Sequence, residues 1–395
     1  MDQTISEIIR FTGVAEDRLF PTTYGRTALL LALKSVPVRG REVIIPAFTC
    51  PVAVLGAVIE SGGIPVFVDI NLKNLNFDRH DLRQKITKST AAIISHHYFG
   101  MANPEVVINE HIARKHGLVH IEDCAHSLGA QFQGCSVGKI GDLAVYSFSK
   151  NMISPQGGLL QCNSGELLEK IQTLYNQNSA GRITGLLANV DFFIFFCRLL
   201  IVKGLFESVN TRFKPNLLPY RVPPLLYMPF RFADILLKTQ HSSGRFYSVS
   251  REDVLKDPST VDIKMTGFQK YIIHSRIRLL HQMNAKRRNI AERLDRIVPH
   301  FFLQGNDQRF VYTNYVLCTY DKAKVLSLAK KASILFIETW PVRGKYWKEQ
   351  NTKNVEKLKR EVLLLNISPY WSEKEIQEVE NFLYKNKTLF FNPPG

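Results

Sequence analysis

LVHIEDCAHSLGAQFQGCSVGKIGDLAVYSFSKNMISPQGGLL, residues Leu118–Leu160, is the stretch from which the rest of the chain can be read. It opens on a short apolar strand, Leu118–Ile121, that ends in two carboxylates, Glu122 and Asp123. A second apolar strand, Leu143–Phe148, ends at Lys150, and a Gly157–Gly158 pair follows. In parallel α/β sheets, ligands sit beyond the carboxyl ends of the strands. An acid at one strand end and a lysine at the next suit a carbonyl cofactor held on Lys150 as a Schiff base, with Asp123 tuning its ring.

Outward from this stretch, strand and helix alternate. Val43–Ile45 reads as a buried strand closed by Pro46, Cys50–Ser61 as a helix, and Pro65–Val68 as a strand ending at Asp69. Ala91–Ser95 reads as a strand ending at His96–His97, and Glu105–Lys115 as a helix closed by Gly117. Short continuous apolar strands separated by helices indicate a mostly parallel sheet covered on both faces. Upstream, residues 1–20 read as an amphipathic helix and a linker. TTYGRTALLLALK (Thr22–Lys34) reads as a turn feeding a helix, with Thr22, Thr23 and Gly25 able to cap it. A helix start with a hydroxyl at Thr27 and a cation at Arg26 is a natural phosphate site. Downstream, Thr266–Ile297 reads as one long arginine-rich helix. Strands at Tyr312–Cys318, Leu335–Glu338 and Leu363–Ile367 and helices at Lys322–Lys331 and Glu373–Lys385 make a smaller C-terminal lobe. The fold class is therefore α/β, a large lobe with a mostly parallel sheet plus a smaller α/β lobe. The division expected is 1–183, 184–250 and 251–395.

Composition narrows the function classes. At 395 residues the chain exceeds one ordinary core. Its six cysteines show no CxxC pairing and read as reduced packing residues, which points to the cytoplasm. The polar opening MDQTISEIIR reads as no signal peptide, and no apolar run reaches the roughly 18–20 residues that span a bilayer. The net charge of +16 suits phosphorylated substrates, an anionic membrane surface or nucleic acid. It is dispersed and accompanied by no nucleic-acid motif, so DNA and RNA are not expected partners.

Residues 184–245 break the rhythm. FFIFFCRLLIVKGLF (Phe192–Phe206) and LLPYRVPPLLYMPFRF (Leu217–Phe232) are aromatic-rich, and Thr184–Arg245 holds eight Lys/Arg against three Asp/Glu. Two readings stand: a segment buried against the core or a partner subunit, or an in-plane membrane-surface contact through 192–232.

Pyridoxal 5'-phosphate accounts for these features together. Its phosphate needs a helix start and hydroxyls, its aldehyde a lysine, and its ring nitrogen an anionic partner. Each residue also has a plain reading. Lys150 could be a surface lysine, Asp123 could cap a helix near Ala125, and His97 and His126 could be hydrogen-bonded core histidines.

Order and spacing decide between these. GRTALLLAL (Gly25–Leu33), VIIPAFTCPVAV (Val43–Val54), GGIPVFVDI (Gly62–Ile70), HHYFG (His96–Gly100), IEDCAHSLGA (Ile121–Ala130), VGKIGDLAVYSFSK (Val137–Lys150) and Gly157–Gly158 together resemble the DegT/DnrJ/StrS-type pyridoxal-phosphate-dependent sugar aminotransferases. The resemblance covers most of the chain except about 184–255. It implies the type I, aspartate-aminotransferase-like fold, pyridoxal phosphate, glutamate as donor and a homodimer with shared active sites. By position it makes Lys150 the Schiff-base lysine and Asp123 the ring-nitrogen partner, with His126 beside the ring hydroxyl. Gly25, Arg26, Thr27 and Ser147 then form the phosphate cradle. The chain departs from the pattern at Cys50, where an aromatic commonly stacks on the ring. Phe48 or His97 would then cover the ring, or the cofactor would be held less tightly. It departs again at Asp262, where an asparagine commonly reaches the partner subunit's phosphate, and between Ser147 and Lys150, which stand two residues closer.

The expected activity is transfer of an amino group from glutamate to a keto group, most readily one on a nucleotide-linked deoxysugar. Two alternatives stand beside it: a membrane-associated aminotransferase of a lipid-linked ketone, and a catalytically inactive sensor or scaffold.

Overall fold

The computed structural model describes residues 3–152, 154, 157–177, 264–298, 300–301, 308–338 and 352–391. The basic aromatic stretch 184–245 and Asp262 lie outside the described residues. After a first helix, α1 (Gln3–Thr12), the chain builds a seven-stranded sheet. Its strands are β1 (Leu19–Thr22), β2 (Glu42–Pro46), β3 (Ile64–Val68), β4 (Thr90–His96), β5 (Val119–Asp123), β8 (Leu143–Ser147) and β9 (Gly158–Cys162), in the spatial order β1-β9-β8-β5-β4-β2-β3. Neighbours from β8 through β3 run parallel, while β9 is antiparallel to both β8 and β1. Every residue of β4 and β8 is buried. That is why the strands read as unbroken apolar runs: helices cover both faces and leave no solvated side to alternate towards.

Two short strands, β6 (Gln131–Phe132) and β7 (Cys135–Ser136), form a hairpin completed by β10 (Gln308–Arg309). The small lobe is a four-stranded antiparallel sheet of β11 (Asn314–Thr319), β12 (Phe336–Glu338), β13 (Val362–Asn366) and β14 (Phe390–Phe391), in the order β12-β13-β11-β14. The C-terminal helix Glu373–Lys385 begins where the sequence reading placed it, with Ser372 and Glu375 forming a capping box. Among the described residues no helix is long and apolar enough to cross a membrane.

Three elements differ from the sequence reading. The linker after α1 contains β1, whose Pro21 is tolerated because the strand lies at the sheet edge. The segment Cys50–Ser61 is a π-type turn, Pro51–Leu55, running into the short helix α3 (Gly56–Glu60). The long helix is two, Gly267–Ile277 and Leu280–Asp295. The halves pack on different partners. The first meets α1, where Thr4 Oγ1 donates to the Lys270 carbonyl at 3.0 Å. The second is tied to the C-terminal helix by Arg293, whose guanidinium reaches Glu380 at 2.7 and 2.8 Å and Glu373 at 2.7 Å.

A further small-lobe helix, Lys353–Glu361, gets no cap from its own Thr352 side chain. Its cap comes across the molecule from Asp69 at the end of β3. The Asp69 carboxylate accepts the N–H of Asn354 at 3.0 Å and of Val355 at 3.3 Å. Asn354 Nδ2 returns a bond to the Ile70 carbonyl at 2.7 Å. Asp69→Ala is therefore expected to cost about 1–2 kcal/mol, the usual value of a helix cap, read as a lower urea midpoint. An unchanged midpoint would show that this junction is not held by the carboxylate.

Candidate active site

The carboxyl ends of β4, β5 and β8 deliver the chemistry-bearing side chains to one edge of the sheet. His96 closes β4 directly opposite Asp123, which closes β5. The adjacent residues of each pair, His97 and Glu122, point the other way, because a strand alternates its faces. The His-His and Glu-Asp doublets thus sort into two imidazole–carboxylate pairs, one on each side of the sheet.

On the site face, His96 Nδ1 lies 3.2 Å from Asp123 Oδ2, and His96 Nε2 lies 2.6 Å from Thr49 Oγ1. The other Asp123 oxygen accepts the Ala125 N–H at 3.0 Å in a local turn; no helix starts there. Burial raises the Asp123 carboxyl, but the His96 bond and charge, the Ala125 N–H and His126 outweigh it, so the net shift is downward. His126 is pushed down to about 3, by burial first and then by the Lys150 charge, with Asp123 opposing. Its imidazole is neutral at neutral pH. Because His126 feels both Lys150 and Asp123, the acid and the amine share one electrostatic environment.

Lys150 is exposed and sits on a four-residue helix, α6 (Phe148–Asn151), directly after β8. Other residues hold that helix in place. Phe148 and Asn151 are buried, and Asn151 Nδ2 donates to the carbonyls of Ala125 at 3.0 Å and Ser147 at 3.1 Å. Arg287, 4% exposed, donates to the Asn151 carbonyl at 2.7 Å, to Asn284 Oδ1 at 2.9 Å and to the small-lobe Ile367 carbonyl at 3.3 Å. Burial lowers this guanidinium to about 10, so it stays charged at neutral pH among carbonyl partners. It connects the Lys150 helix to the small lobe.

The start of α2 (Gly25–Ser35) comes to the same edge. No side chain caps it, and Thr22 Oγ1 instead donates to the Tyr24 carbonyl at 2.9 Å. Thr22, an expected cap, thus spends its hydroxyl on the Tyr24 carbonyl. Two glycines allow the approach. A Cβ on Gly25 would stand 2.9 Å from Ser147 Cβ and 3.3 Å from Ser147 Oγ. A Cβ on Gly158 would stand 2.4 Å from the Tyr24 carbonyl oxygen. The Gly157–Gly158 pair is thus where β9 lets the α2 start lie against the end of β8, and Gly157 has a φ of +133° that favours glycine. Thr27 is fully buried on this helix, while the Arg26 guanidinium lies over the Tyr24 ring, 4.8 Å from its centroid.

On the far face, Glu122 is fully buried. Its carboxylate accepts the N–H groups of Gly138 at 2.9 Å, Ile140 at 2.7 Å and Gly141 at 2.6 Å, and pairs with His97 Nε2 at 2.8 Å. His97 Nδ1 accepts the Asn103 N–H at 2.9 Å, so Nε2 carries the proton that faces Glu122. His97, Glu122 and Cys124 come within 4.8 Å of one another, a spacing that could suit a metal. The Glu122 oxygens and both His97 nitrogens are already taken by these bonds, so the cluster is a hydrogen-bonded brace.

His97 is therefore not available to cover a cofactor ring, contrary to the sequence expectation. Nor is Phe48, which is fully buried against Tyr98 and Phe99 with ring centroids at 5.5 and 6.1 Å. Cys50, half-buried at the mouth of the Pro51–Leu55 turn, keeps its position next to Thr49. The sequence reading missed His96, Thr49, Asn151 and Arg287 as site-supporting residues. The His-His doublet at the end of β4, read together with Glu-Asp at the end of β5, was a signal for the first of these.

A seven-stranded, mostly parallel sheet with this edge, joined to a small antiparallel lobe, is the fold of the pyridoxal-phosphate-dependent aminotransferases. The fold is shared with an aminotransferase, TlmJ, from Streptoalloteichus hindustanus, with a TM-score of 0.71 over 98% of this chain and 90% of that one at 18% identity. Residues 9–188 match the model of the DegT/DnrJ/EryC1/StrS aminotransferase family. Within it the chain is 35% identical to a GDP-perosamine synthase of Vibrio cholerae over 156 residues, 39% of this chain and 42% of that protein. It is 37% identical over 178 residues to a UDP-N-acetyl-3-dehydro-alpha-D-glucosamine 3-aminotransferase of Acidithiobacillus ferrooxidans, 44% of this chain and 47% of that protein. The match thus spans less than half the length of these relatives.

Proposed function

We propose that this protein is a pyridoxal-phosphate-dependent aminotransferase that moves an amino group from glutamate to the keto group of a nucleotide-linked deoxysugar. The observation that carries the reading is the convergence of Asp123, His126, Ser147, Lys150 and the uncapped Gly25 helix start on one sheet edge. The residues fit the cofactor. Asp123 is an anion despite its burial, as a ring-nitrogen partner must be. Gly25 and Ser147 meet too closely for any side chain on the glycine, and with Thr27 and the backbone at Arg26 they would hold the phosphate. Lys150 would supply the amine for the aldehyde, and His126 and Cys50 would flank the ring.

When bound, pyridoxal phosphate supplies the electron sink for breaking a bond at the amino acid's α-carbon. The protein's own groups do the rest. Lys150 Nζ, freed by the incoming amine, takes and returns the proton. Neutral His126 does not compete with it as a cation. Asp123 holds positive charge at the ring nitrogen. The net charge of +16 favours a substrate bearing a diphosphate. Nucleotide sugars in the names of the two relatives support the same substrate class. The division into 1–183, 184–250 and 251–395, a homodimer with shared sites and a cytoplasmic location complete this reading.

The test is spectroscopic. Purified protein should take up pyridoxal phosphate with a visible absorption band, and glutamate should convert it to the pyridoxamine form. A nucleotide keto-sugar should then restore the band. No uptake of the cofactor, or no response to any amino donor, would overturn the assignment.

A further inference from the structure

In the Thr49–His96–Asp123 line, Asp123 has a role at the ring nitrogen, whereas Thr49 and His96 have none in the chemistry given so far. Its three members come from three neighbouring strands of the sheet, β2, β4 and β5, each at or just past the carboxyl end. Thr49 is 1% and His96 6% exposed. The distances, 2.6 Å from Thr49 Oγ1 to His96 Nε2 and 3.2 Å from His96 Nδ1 to Asp123 Oδ2, leave room for no other group between them.

We propose that His96, buttressed by Thr49, is a positioning residue that holds Asp123 ionised and correctly turned against the ring nitrogen of the cofactor. This rests on the reading of the site as a pyridoxal-phosphate site. The physical need is plain. A half-buried carboxyl such as Asp123, with 16% of its side chain exposed, is still pushed towards its neutral form by lost solvation, and a neutral carboxyl cannot hold a proton on a pyridine nitrogen. Something must oppose burial from behind. The Ala125 N–H does so at one oxygen. At the other, His96 is the one imidazole in contact among the described residues.

The threonine suits this role because its hydroxyl both donates and accepts. With His96 neutral and its proton on Nδ1, that nitrogen lies 3.2 Å from Asp123 Oδ2 and Nε2 accepts from Thr49. With His96 charged, Nε2–H donates to Thr49 instead. The ring keeps its place in either state. The groups facing His96 are few. Tyr98 presents its ring edge at 5.2 Å and spends its hydroxyl on the Phe48 carbonyl. Asn103 Nδ2 bonds the His96 carbonyl at 3.2 Å. His126 is also sensed at Asp123 and itself feels His96 and Lys150, while the Asp123 charge adds to the rise of the Tyr98 hydroxyl.

The experiment compares wild type, His96→Phe, His96→Asn and Thr49→Val, each reconstituted with pyridoxal phosphate and no substrate. The pH titration of the visible band and the cofactor dissociation constant are read for each. His96→Phe keeps ring volume and loses both bonds. It is expected to weaken cofactor binding roughly tenfold and to move the titration midpoint by about one pH unit. His96→Asn, whose Nδ2 takes the place of Nδ1, should recover most of the affinity. Thr49→Val should shift the midpoint in the same direction by less. A midpoint and affinity for His96→Phe equal to wild type would overturn the proposal. Should His96→Phe fail to fold by circular dichroism, Thr49→Val decides: a shifted midpoint supports the proposal and a wild-type midpoint overturns it. If wild type takes up no cofactor, it is the proposed function that fails.

Discussion

Lys150→Ala should abolish amination while leaving the protein as stable as wild type. The structure separates the two effects. Lys150 is the exposed residue of the four-residue helix α6. That helix is anchored by Phe148, by the Asn151 amide and by Arg287 from behind. Removing an exposed side chain that anchors nothing costs at most about 0.5 kcal/mol. The same side chain is the amine whose charge His126 feels, and loss of a positioned proton-transfer group costs on the order of 10²–10⁴-fold in rate. Loss of the covalent attachment adds to that. The expected result is an unchanged urea midpoint, a glutamate half-reaction slowed at least roughly 10³-fold, and no visible band of the wild-type kind. A variant that kept the band and the rate would remove Lys150 from the chemistry. A variant that lost stability in parallel would show that α6 depends on it.

The large sheet was legible because burial on both faces writes each parallel strand as a continuous apolar run, which is hard to mistake for anything else. The elements that escaped were those held by tertiary context. β1 is four residues with a proline and exists only because β9 pairs with it along Leu19–Thr22. The helix Lys353–Glu361 buries little more than Val355 and Leu358, and its start is completed by Asp69, 285 residues away. The break between Ile277 and Leu280 has no proline or glycine to announce it; α1 and the C-terminal helix pull the halves onto different surfaces.

The same contrast runs through the site. Asp123 and Lys150 could be read from position because they close strands of the central sheet. The pairing of His96 with Thr49 could not, because their bond joins residues 47 apart. Arg287 meets the Asn151 carbonyl across 136 residues. A composition of two histidines and two acids says nothing about which pairs with which. That was decided by the register of β4 on β5, which sets His96 against Asp123 and leaves His97 for Glu122.

That second pair carries the largest stability effect expected in the molecule. Glu122 is a fully buried carboxylate that satisfies three backbone N–H groups of the 138–141 loop and the His97 imidazole. Burial raises its carboxyl. The His97 bond and charge, His120 and the Gly141 N–H overcome this and bring it from 4.5 to about 2. Glu122→Ala would strand those donors without water. Breaking such a pair costs about 3–5 kcal/mol, a large share of the roughly 5–15 kcal/mol that holds a domain together. Glu122→Gln keeps the shape but turns an amide N–H towards a donor, so about 1–3 kcal/mol should be lost. The sign of the pH dependence follows from the downward shift. The contribution is complete above 4.5, where the unfolded carboxyl is also ionised, and fades as pH falls towards about 2. Urea midpoints of wild type should therefore decline across that window, and Glu122→Gln should decline less steeply there while being weaker at neutral pH. Parallel declines would mean that another carboxylate carries the acid sensitivity. Because Glu122 is next in chain to Asp123, loosening its loop should also lower cofactor affinity, coupling a brace on one face of the sheet to the chemistry on the other.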